Sequence, residues 1–388
     1  MCFPATYVLR EIDPDSLGKG AVRLLPVISC SIMAHPERSE NAKILRDKLG
    51  RFSAEIVYDP CPGGSGSTLR TAVAAWSAMP DGATHHLLLQ DDVELCEDFS
   101  DRLCALVELH PEKALSLFAE WGSSSSTMIR WGAMAGAGIV ECADTYVPAQ
   151  AVLLPADDVR GFAAHAREYG AWEVPDDIAL RRFLGIRGRS SYAAVPNLVQ
   201  HHAGGSLLGH DYQGLRRSTC LADRHDPLPE QGVLPAPVEI PVFTWGKGRA
   251  MCLAYRPAVP QVDGLVPTRR LLERRGYDRA ALNASLDEGL DRVMPLADLE
   301  LKIGYALMHE LWTTAVALGA LAPPGDRGTV GPLDAPLVRR SLDTMAAGAL
   351  RSLVDAETLL GCAAALERFV FDGVAHGLTL RPPPERTR

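Results

Sequence analysis

From Val22 to Ala119 the chain alternates short apolar runs with stretches whose apolar positions recur every three or four residues. "VRLLPVISCSIMA" reads as a first strand. In "HPERSENAKILRDKLG" that follows, Ala42, Ile44, Leu45 and Leu49 mark one helical face and Gly50 supplies a stop. "AEIVYD" is a second strand ending at Asp59. After "PCPGGSG", Ser67 or Thr68 can cap a helix carrying Leu69, Ala72, Val73, Trp76 and Met79 at helical spacing. "HHLLLQ" is a third strand, "DFSDRLCALVELH" a third helix and "ALSLFA" a fourth strand. This alternation predicts an α/β fold: a largely parallel sheet with helices on its faces.

Past Trp121 the pattern weakens. "WGSSSSTMIRWGAMAGAGIVE" is rich in small residues and reads as a mobile or substrate-covering stretch up to Val147. "AQAVLLPADDVRGFAAHAREYG" returns to strand plus helix, "PDDIALRRFL" opens another helix, and "SYAAVPNLVQHHAGGSLLGH" is a strand ending in histidines and glycines. The proline-rich "DPLPEQGVLPAPVEIP" then leads into mainly helical sequence. The expected division is a first domain over residues 1–225, a connector over 226–260 and a helical domain over 261–388, with the part up to about Leu221 able to fold alone.

In open α/β sheets, ligands bind beyond the carboxyl ends of the strands. "AHPER", with His35 and Arg38, Asp59, and Gln90-Asp91-Asp92 all fall at such ends. They should converge on one edge. Like-charged carboxylates there need a cation, water or a polar ligand to offset their repulsion. Mg²⁺ or Mn²⁺, which take oxygen ligands and substrate phosphates, would serve. In the plainer reading the doublet only caps a turn.

The composition narrows the field. Over 388 residues the formal charge is −9, so a nucleic-acid partner is not expected. Nine cysteines form no CxxC pair and read as buried apolar residues of a reducing compartment. The N-terminus meets charge too early for a signal peptide, and "YALMHELWTTAVALGALAP" contains His309 and Glu310, so no membrane span is expected. Together these point to a cytoplasmic location.

The ordered series "SIMAHPER", "IVYD", "ATHHLLLQDDVELCEDF", "QAVLLPA", "PDDIAL" and "VPNLVQHHAGGSL" resembles a GT-A-fold glycosyltransferase of the bacterial family-2 or family-25 kind, over Leu24 to His210. That resemblance implies a GT-A-like, Rossmann-like catalytic domain, a nucleotide-sugar donor (a UDP-sugar foremost) and an acceptor of unknown identity. It implies that His35, Arg38 and Asp59 face the donor, and that Gln90-Asp91-Asp92 stands where the DxD motif stands. Asp92 would then be the main ligand of Mn²⁺ or Mg²⁺, Asp91 would lie near the ribose or metal, and His201 or His202 would reach the metal or diphosphate. Gln90 departs from the acidic first position of that motif.

Asp176 and Asp177 resemble the acidic pair that supplies the catalytic base of inverting members. Inverting transfer needs such a carboxylate to take the acceptor's proton. At a helix start after Pro175 the two project differently; Asp177 is the expected base and Asp176 the cap. A nucleotidyltransferase and a catalytically silent GT-A-like binding partner are the rival readings. Gly63 to Thr68 lacks the lysine of a P-loop, "HELWT" lacks the second histidine of a zinc protease, and the sequon at Asn283 would go unused in the cytoplasm. The C-terminal helices, with Leu301, Tyr305, Met308 and Trp312, read as core, leaving room for a homodimer or protein partner.

Overall fold

A computed structural model describes residues 26–61, 67–202, 213–255, 264–293, 296–325 and 328–380. The N-terminal stretch over 1–25, the glycine-rich stretch over 62–66 and residues 203–212 after His202 lie outside the described residues.

The first layer follows the pattern closely, except that Ile44, expected on the inward helical face with Ala42, Leu45 and Leu49, turns out to solvent and is 55% exposed. Strands β1 (Ile28–Ala34), β2 (Glu55–Tyr58) and β3 (His85–Gln90) alternate with helices α1 (Ser39–Lys48) and α2 (Thr68–Ser77). Ser67 caps α2 by accepting the Arg70 N–H at 3.2 Å. β3 is buried along both faces, which is why it reads as an unbroken apolar run rather than an alternating one. Its two histidines are satisfied core groups: His85 Nε2 lies 2.7 Å from Pro111 O, and His86 Nδ1 2.7 Å from Ser29 Oγ. Burial pushes the His86 imidazole down to about 4, so it stays neutral.

After β3 come β4 (Val93–Leu95), α3 (Phe99–Leu109), β5 (Ala114–Ser116), α4 (Ser124–Ala135) and β6 (Ile139–Glu141). β7 (Ala151–Pro155), α5 (Ala156–Tyr169), α6 (Asp176–Ile186), β8 (Ser191–Ala194), β9 (Val199–His201) and β10 (Val233–Leu234) complete the first part. Among the described residues eight strands form one sheet in the order β10-β6-β8-β5-β7-β3-β1-β2. The sheet is mixed, not largely parallel. β1, β2 and β3 run together, but β7 enters antiparallel between β3 and β5, and β6 runs antiparallel to β8.

The stretch read as mobile is instead α4 and β6, and α4 is buried on every side. Small residues allow that. A Cβ on Gly132 would stand 2.5 Å from Val140 Cγ1 and 3.0 Å from Val195 Cγ2. Valine χ1 is stiff, so the neighbours cannot swing aside. Gly132→Ala is therefore expected to cost about 1–3 kcal/mol by overpacking, read as a lower urea midpoint at unchanged slope.

The described part of the expected connector over 226–260, residues 226–255, also folds. It supplies β10 to the main sheet, then β11 (Glu239–Thr244) and β12 (Arg249–Ala254), which pair with β13 (Leu265–Pro267) in a second sheet. Pro241 is tolerated because β11 is an edge strand. Helices α7 (Thr268–Arg274), α8 (Arg279–Val293), α9 (Leu296–Ile303), α10 (Tyr305–Ala320), α11 (Pro336–Asp343), α12 (Met345–Leu350), α13 (Ala356–Gly361) and α14 (Ala363–Thr379) follow. Met308 and Trp312 are core as expected, whereas Leu301 is 84% exposed and Tyr305 44%.

No break in packing falls at residue 225. Met128, Ile129, Trp131 and Met134 of α4 share one buried cluster with Trp312 and Val316 of α10 and Phe369 of α14. Among the described residues no helix is long and apolar enough to cross a membrane.

Candidate functional site

Parallel pairing sets the carboxyl ends of β1, β2 and β3 level: Ala34 faces Tyr58, and Met33 faces Gln90. The chain leaving β1 turns at once into a short 3-10 helix, Pro36–Arg38, begun by His35. That turn brings the His35 N–H to Asp91 Oδ2 at 2.8 Å and Arg38 Nη1 to Asp92 Oδ2 at 2.6 Å and Asp91 Oδ1 at 3.4 Å. The compensation for the acidic doublet is thus a guanidinium from the neighbouring strand end.

The two carboxyls respond differently. Burial pushes the Asp92 carboxyl up, but His201 and then Arg38 outweigh it and hold the group below its usual range. Asp91 goes the other way: burial dominates, the His35 N–H and the weaker Arg38 contact do not cancel it, and its carboxyl is raised. Burial lowers Arg38, yet the two carboxylates more than reverse that, so it stays charged.

β4 and β9 form a separate antiparallel pair that sets Val93 opposite His201. This folds His201 back over the doublet, with Nε2 3.5 Å from Asp92 Oδ2 and 3.4 Å from Arg216 Nη2, its ring beside Phe118. His202 does not join it. Its Nδ1 lies 2.7 Å from Glu94 Oε1, turned away, and only its main-chain N–H reaches Asp92 O, at 2.7 Å. Asp59 sits at its strand end as expected, accepting from the Cys61 N–H at 2.9 Å, with Arg70 Nη2 4.0 Å away. The Gln90 N–H donates to Gln150 O at 2.9 Å.

Whether Mn²⁺ or Mg²⁺ suits these residues is a matter of donor atoms. Both Asp91 oxygens and Asp92 Oδ2 are already engaged. Asp92 Oδ1 and His201 Nδ1 are buried without hydrogen-bond partners. Among the described residues no three His, Cys, Asp or Glu side chains converge as a metal-binding group. One free carboxylate oxygen and one imidazole fall short of the oxygen-rich set such ions take. The described residues do not fit a resident divalent ion.

Beside this network lies a cavity of about 570 Å³, lined among others by Phe118, Glu120, Asp177, Arg216, Trp245 and Lys247. Its volume suits a small organic ligand. Arg216 and Phe118 line it and also contact His201, which stands between the cavity wall and Asp92. Asp177 is the sequence-predicted residue that opens into it. Its Oδ1 accepts the Ile178 N–H at 2.6 Å, which restrains the carboxyl. Burial first, then the neighbouring Asp176, pushes the Asp177 carboxyl up to about 6.

Asp176 is buried, its N–H donates to Thr68 Oγ1 at 3.2 Å, and it docks α6 on the start of α2. The N-cap position itself is Pro175, so Asp176 opens the helix without capping it.

The sequence reading missed the far wall. Glu120 is held by Arg351, which donates to Glu120 Oε2 at 3.0 Å and to Gln213 O at 2.9 Å and stacks 4.5 Å from the Trp245 ring centroid. Gly122 leaves room for that guanidinium, since a Cβ there would overlap Arg351 Nη1. No local pattern marks Arg351 or Trp245, because each acquires its place only through contacts distant in sequence. No protein-family model matches the chain, and no curated protein matches it.

Proposed function

We propose that this chain transfers a sugar from a nucleotide-sugar donor to an acceptor hydroxyl, with inversion at the anomeric carbon. The observation that carries the reading is Asp177: a fixed carboxyl, raised to about 6, opening into a cavity beside the strand-end network. A base near that value is largely ionised at neutral pH yet still takes a proton readily.

In the proposed step, Asp177 Oδ2 removes the acceptor hydroxyl proton as the oxygen bonds to the anomeric carbon. The bond from that carbon to the diphosphate oxygen breaks, and its electron pair leaves with the nucleoside diphosphate. Arg216, on the cavity wall beside His201, supplies positive charge towards the departing phosphate. Trp245 and Phe118 give apolar faces for sugar rings.

A thermal-shift screen of nucleoside diphosphates and their sugars tests the reading. A ligand at 100 times its Kd raises stability by about 2.7 kcal/mol. Selective stabilisation by one base, with slow hydrolysis of the matching sugar nucleotide, supports an enzyme. Stabilisation without hydrolysis or transfer favours the silent binding partner, and no stabilisation by any of them sinks the reading.

A further inference from the structure

We infer that Arg38 is a built-in cation that stands in for a divalent metal at the end of β3, so that the acidic doublet works without one and admits one only when Arg38 is removed. The metal half of this inference rests on geometry alone; its extension to ligand binding rests on the reading above.

Three observations converge. The guanidinium contacts both carboxylates from one nitrogen, at 2.6 Å and 3.4 Å, in the space a bridging ion would need. Its backbone is held to the same site: the Arg38 N–H donates to His35 O at 2.9 Å, and the His35 N–H donates to Asp91 Oδ2. Pro36 opens the turn between them with its fixed φ, so the arginine is anchored rather than draped over the surface. All three partners are shielded, with side-chain exposures of 17% for Arg38, 8% for Asp91 and 16% for Asp92. Screening by water is weak there, and a divalent ion on the same oxygens would meet the guanidinium at close range.

The test titrates Mn²⁺ alone into wild type, Arg38→Met and Arg38→Met/Asp92→Asn, by calorimetry or by the electron-spin signal of free Mn²⁺. Wild type should show no saturable binding. Arg38→Met should gain one saturable ion, at least about tenfold tighter than the weakest binding the titration would detect in wild type, since a like charge has been taken away, and the double variant should lose it again. Saturable binding by wild type that Asp92→Asn abolishes would overturn the inference, and that arm needs no arginine variant to fold.

In parallel, nucleoside diphosphates are screened against wild type in excess chelator and in Mn²⁺. Equal stabilisation in both supports the built-in cation, and stabilisation only with Mn²⁺ overturns it. Failure to bind in either condition defeats the glycosyl-transfer reading, while the Mn²⁺ titration still decides the role of Arg38.

Discussion

Asp177→Asn should abolish transfer and make the folded protein harder to unfold at neutral pH. Proton abstraction by a positioned base contributes roughly 10²–10⁴ in rate, so turnover should fall by that factor with donor binding retained. The stability gain follows from the direction of the shift. The Asp177 carboxyl is raised from 3.8 to about 6 on folding, so the fold favours the neutral form. Its stabilising contribution is fully present below pH 3.8 and is lost as pH rises through about 6. Above that, the wild type holds a charge its surroundings disfavour, at a cost of up to about 3 kcal/mol. Asparagine never ionises and can still accept the Ile178 N–H. Melting curves of both proteins from pH 4 to 8 should therefore diverge as pH rises and meet at the acid end. Equal melting across the range, or normal transfer by the variant, would remove Asp177 from its role.

A chain ended at Leu221 should not unfold cooperatively, contrary to what the proline-rich connector suggests. The truncation cuts through one packed cluster. Trp131 loses Leu318 O, to which its indole N–H donates at 2.9 Å, and fully buried Arg130 loses Ser341 O, 2.9 Å from its Nε. Exposing Met128, Ile129, Trp131 and Met134 at about 1.5–3 kcal/mol each removes much of a margin that is about 5–15 kcal/mol for a whole protein. Urea titration followed by circular dichroism and by tryptophan fluorescence checks this. A single sharp transition by both probes would mean that the first part has a sufficient core of its own.

Much of the first layer was legible because its cues are local. The helical faces of α1 and α2, the Ser67 cap and the run in β3 depend on neighbours within a turn or two. The convergence of Arg38, Asp91 and Asp92 followed from the parallel order of three strands. Strand direction beyond β3 was not legible, since "QAVLLPA" pairs as well antiparallel as parallel and only the route of the chain decides. α4 hid for a different reason. A helix buried all round has no polar face, so its apolar positions show no period, and its serines and glycines look like a loop. Arg216 looks like an ordinary surface cation until tertiary contacts turn it towards the cavity, and Arg351 until they set it against Glu120 and Trp245. His201 and His202 could not be told apart by sequence, yet the alternation of β9 sends one ring to Asp92 and the other to Glu94.

The place of β7 has a consequence for synthesis. β3 is complete at Gln90, but the strand that covers its open edge begins only at Ala151, 61 residues later (151 − 90). At about 5–20 residues per second, a growing chain carries that edge unpaired for roughly 3–12 s. The edge belongs to Leu87, Leu88 and Leu89, an apolar strand of the kind that recruits other chains when left open. β5 cannot shield it, because β5 also waits for β7 to lie between them. The same strand order that levels three carboxyl ends into one site thus exposes the nascent protein to misassociation on the ribosome, and slower synthesis lengthens that exposure.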